Sequence, residues 1–259
     1  MKRVTLIISE SRQSLQTLKI FLNAEKSSTI EIAQVVLLKK SMRNTLNFNY
    51  VKLVMKNKGF FYAVQLFFVK ILLIVERRLF VFLVGEKKRD NSKILAKVVK
   101  KTYCVSSFSS IDQAYIEKTD VVVVHTSKFL SGKVLNFWDA PIIGAHPGPV
   151  SKYRGSHSVI WAFFNKDFGH IGFSIFNLTN LVDGGHIYKE KLLKIHKKRS
   201  FIYINELLNI YSYREIIKLI RSDTIFDKTL PNNSNLGGVY SYPNLPVIIC
   251  SIWHKFFIK

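Results

Sequence analysis

Hydrophobic positions along this chain fall into two kinds of run. The first is short, continuous and rich in β-branched residues: VTLIIS (4–9), IEIAQVVLL (30–38), DVVVVHT (120–126) and PIIGAH (141–146), each bounded by polar residues. Runs of this length without a polar face predict strands covered on both sides. The second kind is periodic: SLQTLKIFLNAEK (14–26), SKILAKVVKK (92–101) and SGKVLNF (131–137) space their apolar residues as helices do. Alternation of the two predicts an α/β fold, a Rossmann-like and mostly parallel sheet with helices on both faces. Ligands in such sheets sit beyond the carboxyl ends of the strands, and PIIGAH delivers His146 to one of those ends.

After residue 168 the pattern changes. HIGFSIFNLT (170–179) and HIYKEKLLKI (186–195) predict two strands joined by a turn at Val182-Asp183-Gly184-Gly185. A long amphipathic helix is expected at about 200–221, and the residues beyond it read as irregular. Residues 39–89 interrupt the alternation. No Asp or Glu occurs from Ile32 to Val75, whereas Lys39, Lys40, Arg43, Lys52, Lys56, Lys58 and Lys70 do. Within this segment GFFYAVQLFFVKILLIV (59–75) is strongly apolar, broken by Gln65 and Lys70 and ended by Glu76-Arg77-Arg78. It is shorter than the ~20 residues that a spanning helix prefers. Three readings stay open: a helical insertion packed on the domain, a basic, apolar surface resting on an anionic bilayer, and a true transmembrane helix.

Composition narrows the class. A chain of 259 residues, 48% hydrophobic and 13% aromatic, buries a real core and is not disordered. Its two cysteines, Cys104 and Cys250, form no CxxC pair, so neither a disulfide framework nor a metal site is expected, and the reducing cytosol suits them. The opening MKRVTLIISES holds too short an apolar run for a secretory signal and reads as a strand. The formal net charge of +22 points to an anionic partner: a phosphorylated small molecule, a nucleic acid or a membrane surface. A compositional bias toward Ile, Asn, Phe and Lys explains the charge equally well, so charge alone names no function. Nucleic acid is not expected, because no recognition motif accompanies the charge.

The chemistry-bearing stretch is GAHPGPVSKYRGSHSVIWAFFNKD (144–167). Pro147 and Pro149 stiffen the backbone after His146, while Gly148 and Gly155 allow a turn or a close approach. HSVIWAFFNKD then reads as a helix with Ile160, Phe163 and Phe164 inward and Trp161 in the packing. The turn at Asp183 can bring its carboxylate back to His146, and a His oriented by an Asp moves one proton near neutral pH. On spacing alone, a structural histidine at a strand end remains open. His157 reads as a helix start, either at the surface or lining the cleft, His170 reads as a strand edge, and His186 has no assigned role. Arg154 is either a bidentate donor to a carboxylate or phosphate, or a brace for its loop.

Residues 146–187, HPGPVSKYRGSHSVIWAFFNKDFGHIGFSIFNLTNLVDGGHI, resemble the central signature of the folate-dependent formyltransferases. That signature runs Asn-x-His-Pro, a loop ending Tyr-Arg-Gly, Trp-Ala, Gly-x-Thr-x-His, and then an Asp followed by x-Gly. His146, Pro147, Tyr153, Arg154, Gly155, Trp161, Ala162, Gly172, Asp183 and Gly185 fall in register with it. The resemblance implies a catalytic domain over 1–197 with its insertion at 39–89, and a C-terminal extension over 198–259. It implies 10-formyltetrahydrofolate as formyl donor and a primary amine as acceptor. His146 would be the catalytic histidine and Asp183 its partner. Thr126, Ser127, Phe129 and Leu130 would line the folate pocket together with Gly144, and Tyr153 and Arg154 would face the acceptor. Two positions depart from the signature: Gly144 stands where the family has Asn, and Phe176 where it has His. Losing one oxyanion donor costs ~10²–10³ in rate, so a catalytically degenerate binding or regulatory module is the alternative.

The acceptor follows by analogy. The turn ISESRQS (7–13) has no glycine, which speaks against glycinamide ribonucleotide. Initiator methionyl-tRNA would call for a β-barrel domain after Lys197 that the sequence there does not suggest. An amino sugar, nucleotide-linked or destined for a surface polysaccharide, is the expected acceptor. The expected location is cytoplasmic, with peripheral contact at the inner face of the membrane.

Overall fold

The computed structural model describes residues 1–27, 29–39, 55–56, 58–84, 94–126, 128, 130–195, 199–226 and 236–257. Strand β1 (Lys2–Ser9) leads into helix α1 (Arg12–Glu25), whose N-terminus is capped by the Ser11 hydroxyl accepting from the Ser14 amide at 3.2 Å. Strand β2 (Ile30–Leu38) and helix α2 (Phe60–Val84) follow. Then come β3 (Thr102–Val105), β4 (Val121–His125), the short helix α3 (Gly132–Leu135) and β5 (Ile142–His146). Strand β6 (Tyr153–Gly155), helix α4 (Ser158–Phe164), β7 (Gly172–Asn177) and β8 (Ile187–Leu192) complete the middle of the chain. Helix α5 (Phe201–Arg221), strand β9 (Gly238–Tyr240) and helix α6 (Leu245–Phe257) end the described part.

Seven strands form one sheet in the order β3-β2-β1-β4-β5-β7-β8. Pairing is parallel from β3 through β5, and antiparallel where β7 joins β5 and β8 joins β7. The two-residue period of a strand sends alternate side chains to opposite faces. Val4, Leu6 and Ile8 of β1, with Val121 and Val123 of β4, therefore pack on one face against Leu18 and Phe21 of α1 and Ile204 and Leu208 of α5. Ile7, Val122 and Val124 point the other way, onto Phe108, Ile111, Val134 and Trp138. Both faces are covered, the first by full helices and the second mostly by turns and the one-turn helix α3.

Three expectations need correction. SKILAKVVKK tightens into a 3₁₀ helix over Leu95–Lys101 instead of an α-helix. Glu76-Arg77-Arg78 does not end the apolar segment, because α2 runs on to Val84. The stretch after α5 is not irregular throughout, since it holds β9 and the thirteen-residue helix α6. One buried ion pair accounts for the last two corrections. Lys255 Nζ of α6 lies 2.5 Å from Glu76 Oε1 of α2, with side chains 0% and 2% exposed. The same oxygen accepts from the Phe201 amide at the start of α5 at 3.0 Å, and the ammonium stands 3.9 Å from the Phe201 ring centroid. A buried charge is tolerated only when paired and hydrogen-bonded, so the glutamate that looks like a terminator in the sequence is instead the point where α2, α5 and α6 meet.

Candidate active site

His146 ends β5, and its side chain is 7% exposed. Nε2 lies 3.0 Å from the Tyr153 carbonyl oxygen, which can only accept, so Nε2 carries a proton. In the neutral ring Nδ1 then keeps its lone pair, and it faces Asp183 Oδ2 at 3.4 Å. Burial pulls the His146 pKa below the usual value, against the opposing pull of the Asp183 carboxylate and the Tyr153 carbonyl. The imidazole is therefore neutral at rest, beside a carboxylate placed to stabilise it once Nδ1 takes a proton.

The loop around this pair is fixed from several sides. Asp183 sits at φ 42°, in the left-handed region, and its Oδ2 accepts from the Gly155 amide at 2.7 Å. Gly155 has φ +89°, and a Cβ there would stand 2.4 Å from the Tyr240 carbonyl oxygen of β9, so only glycine lets β6 pair with β9 and aim its amide at Asp183. On the other side of His146, the Ser174 hydroxyl of β7 accepts from the Val150 amide at 2.9 Å, and the Ser158 hydroxyl donates to the Pro147 carbonyl.

A cavity of about 900 Å³ opens over the strand ends. Thr126, Leu130, Gly144, His146 and Asp183 line it, five of the positions expected from the sequence. Ser127 and Phe129 lie outside the described residues. Tyr153 and Arg154 are not among the described lining residues. The Tyr153 ring is 1% exposed and its hydroxyl donates to Asp167 at 2.9 Å, while burial pushes its pKa up. Arg154 donates through Nε and Nη2 to the Val182 carbonyl at 3.0 and 2.6 Å, bracing the turn that carries Asp183. Tyr153, against expectation, and Arg154, in the bracing role the sequence left open, build the site from behind. His170 sits in a 3₁₀ turn, not on a strand, with Nδ1 2.6 Å from Asp167 Oδ1. His186 packs edge-on against Tyr188 at 5.0 Å.

Two further histidines line the cavity. His125 ends β4 as His146 ends β5; its Nδ1 lies 2.6 Å from Thr17 Oγ1, and its ring stacks on Tyr213 at 4.6 Å. His157, which the sequence left open between the surface and the cleft, starts α4 at φ 59° and meets the Tyr242 ring edge-on at 4.5 Å. Burial drives both pKa values down to about 4. The signal for His125 was present in the sequence, since two adjacent runs both end in histidine.

The two departures from the signature form a common floor. Gly144 pairs with Phe176 across β5 and β7, and both line the cavity. A Cβ on Gly144 would stand 3.2 Å from Leu178 Cγ and Cδ1. Leu178 therefore occupies the space into which a longer side chain at 144 would grow.

Comparisons with known proteins agree with this architecture. The family model described as Formyl transferase matches residues 2–208. No curated protein matches the chain. Among solved structures, glycinamide ribonucleotide transformylase 1 from Symbiobacterium toebii superposes with a TM-score of 0.58 at 12% identity, over 92% of this chain and 95% of that one. A 4-N formyltransferase from Francisella tularensis gives 0.56 at 12% identity, over 98% and 87%. An N-formyltransferase from Helicobacter canadensis, solved with folinic acid and dTDP-3-aminofucose, gives 0.54 at 12% identity, over 98% and 80%. At these identities the structural likeness is one of fold.

Proposed function

From the premise that this chain belongs to the formyl transferase family, we propose that it moves a formyl group from 10-formyltetrahydrofolate to the primary amine of a nucleotide-linked amino sugar. The observation that carries the reading is the His146–Asp183 pair, Nδ1 to Oδ2 at 3.4 Å, on the wall of a cavity of about 900 Å³. That volume lies in the range of small-molecule sites. The folate would lie against Thr126, Leu130 and Gly144, with Ser127 and Phe129 as further expected contacts. Lys128, Asn205 and Asn209 also line the cavity and supply a cation and amides for a phosphorylated acceptor. The Helicobacter canadensis enzyme, with its folate and its amino-sugar nucleotide, supports that pairing of substrates.

Each step follows from the proton positions. The acceptor nitrogen attacks the formyl carbon, a carbon–nitrogen bond forms, and negative charge develops on the formyl oxygen. His146 Nδ1, held as a lone pair by the commitment of Nε2 to Tyr153, takes the proton from the attacking nitrogen. Asp183 stabilises the resulting imidazolium. The protonated Nδ1 then returns the proton to the folate nitrogen as the original carbon–nitrogen bond breaks. Tyr153 and Arg154 serve this site by holding the loop and the turn. On this reading the reaction runs in the cytoplasm.

One observation favours a second reading. Gly144, Phe176 and Leu178 form an apolar floor, so position 144 offers no side-chain amide to an oxyanion, and a pocket of that kind suits binding without turnover. Both readings meet one experiment. Purified protein is incubated with 10-formyltetrahydrofolate and a panel of nucleotide-linked amino sugars, and release of tetrahydrofolate is followed beside His146→Ala. Turnover that disappears in the variant is the expected result. Binding of the folate without turnover on any amine would overturn the enzymatic reading in favour of the second.

A further inference from the structure

Helix α2 has an unusual outer face. It buries Ala63, Val69, Glu76 and Phe80, each at most 9% exposed, and Leu73 from the same side lines the cavity. Opposite them Phe61, Phe68, Val75 and Phe82 recur every seven residues, exposed to 86%, 49%, 54% and 86%. The solvent side of a surface helix is ordinarily polar. Helix α6 continues this surface. Phe256 stacks on Phe80 at 5.6 Å, and Trp253 and Phe257 of α6 are 58% and 66% exposed.

We propose that the α2–α6 surface docks the protein on an anionic lipid bilayer. Charge on the two helices selects that occupant. Their one carboxylate, Glu76, is buried against Lys255, so the outer face presents no acid. Exposed Lys56 and Lys58 precede α2, Arg78 lies within its exposed stripe, and the whole chain carries +22. A second copy related by a two-fold axis would set the same basic groups against each other with no carboxylate on either helix to pair them. Anionic headgroups supply the missing charge, and Phe and Trp side chains suit the headgroup–acyl boundary. Among the described residues no helix is long and apolar enough to cross a membrane, so the two helices lie along the surface. This inference does not depend on the reaction at His146.

The test is co-sedimentation of the full chain with phosphatidylglycerol and with phosphatidylcholine vesicles, run beside sedimentation velocity without lipid. We expect binding at least ~10-fold tighter to the anionic vesicles, weakened by salt. Trp253 supplies a second readout: its emission shifts to the blue on the anionic vesicles and is quenched by brominated lipid, and Trp253→Phe abolishes that shift. The pair Phe61→Ser and Phe82→Ser removes two of the most exposed side chains, so the thermal transition is expected to stay in place while vesicle binding falls ~10-fold or more. Failure of the native chain to bind anionic vesicles overturns the proposal. So does unchanged binding by the double variant, or a stable dimer that ignores lipid. Formyl transfer measured without vesicles reports on the reaction separately.

Discussion

Strands β4 and β5 lie side by side in parallel, and each brings a histidine to its carboxyl end, His125 half-buried and His146 buried. The two histidines differ in what surrounds them. His125 has its Nδ1 against the Thr17 hydroxyl and its ring flat on Tyr213, whose own hydroxyl donates to the Val124 carbonyl at 2.7 Å. No carboxylate contacts its ring among the interactions of the described residues. His146 has one nitrogen tied to a carbonyl and the other open toward a carboxylate. Burial lowers the pKa of both, so burial does not distinguish a structural histidine from a proton carrier. An acceptor lone pair with a fixed anion behind it does.

The sharpest way to break this comparison is to remove each histidine. His146→Ala should lower kcat/KM by ~10²–10⁴, the range typical of general acid–base catalysis, with the circular dichroism spectrum retained. Asp183→Asn should fall in the same range, because the imidazolium then forms without its counter-charge. A loss confined to KM in either variant would remove the proton-carrier assignment. His125→Ala should do the reverse: cost ~2–4 kcal/mol of stability by denaturant titration, while kcat at low temperature stays within ~3-fold of native.

Acid should reveal the cost of burying neutral histidines. His125 and His157 titrate near 4 in the folded chain, against an ordinary value of 6.5. Between those values the unfolded chain binds more protons, so stability falls as pH drops from 6.5 toward 4. Above 6.5 these groups contribute no slope. His157→Gln should flatten the dependence by ~1–3 kcal/mol across the window, read as the change in denaturation midpoint with pH. An unchanged slope would mean that His157 already titrates normally when folded.

The smallest expected effect concerns the floor of the site. Gly144→Asn alone should cost ~1–3 kcal/mol, because its Cβ meets Leu178 at 3.2 Å. In a Leu178→Ala background the asparagine gains room, and transfer should rise by ~10-fold over that background, toward the effect of one oxyanion donor. No gain would show that the glycine is not a lost donor position in this chain.

Much of this was legible in the sequence because local pattern carried it. The four apolar runs became β1, β2, β4 and β5, and the ordered His-Pro, Tyr-Arg-Gly and Asp-x-Gly motifs led to the paired His146 and Asp183. What was not legible depends on partners far along the chain. Three-residue strands β6 and β9 carry no periodicity of their own and exist only through each other, across more than eighty residues. Helix α6 is apolar on nearly every side around VIICSIW, which hides the helical period. Arg154 stayed open between ligand donor and loop brace because nothing local shows that the Val182 carbonyl takes two of its N–H groups. Glu76 looked like a terminator because its lysine lies 179 residues away.

That last separation has a consequence in time. Translation at ~5–20 residues per second puts ~10–35 s between the synthesis of Glu76 and that of Lys255. Throughout that interval Glu76 has no Lys255 to pair with and Phe80 no Phe256 to stack on. The ion pair that anchors this helix can form only after Lys255 has been made. The junction of α2, α5 and α6 is thus one of the last pieces of the fold whose parts are all present.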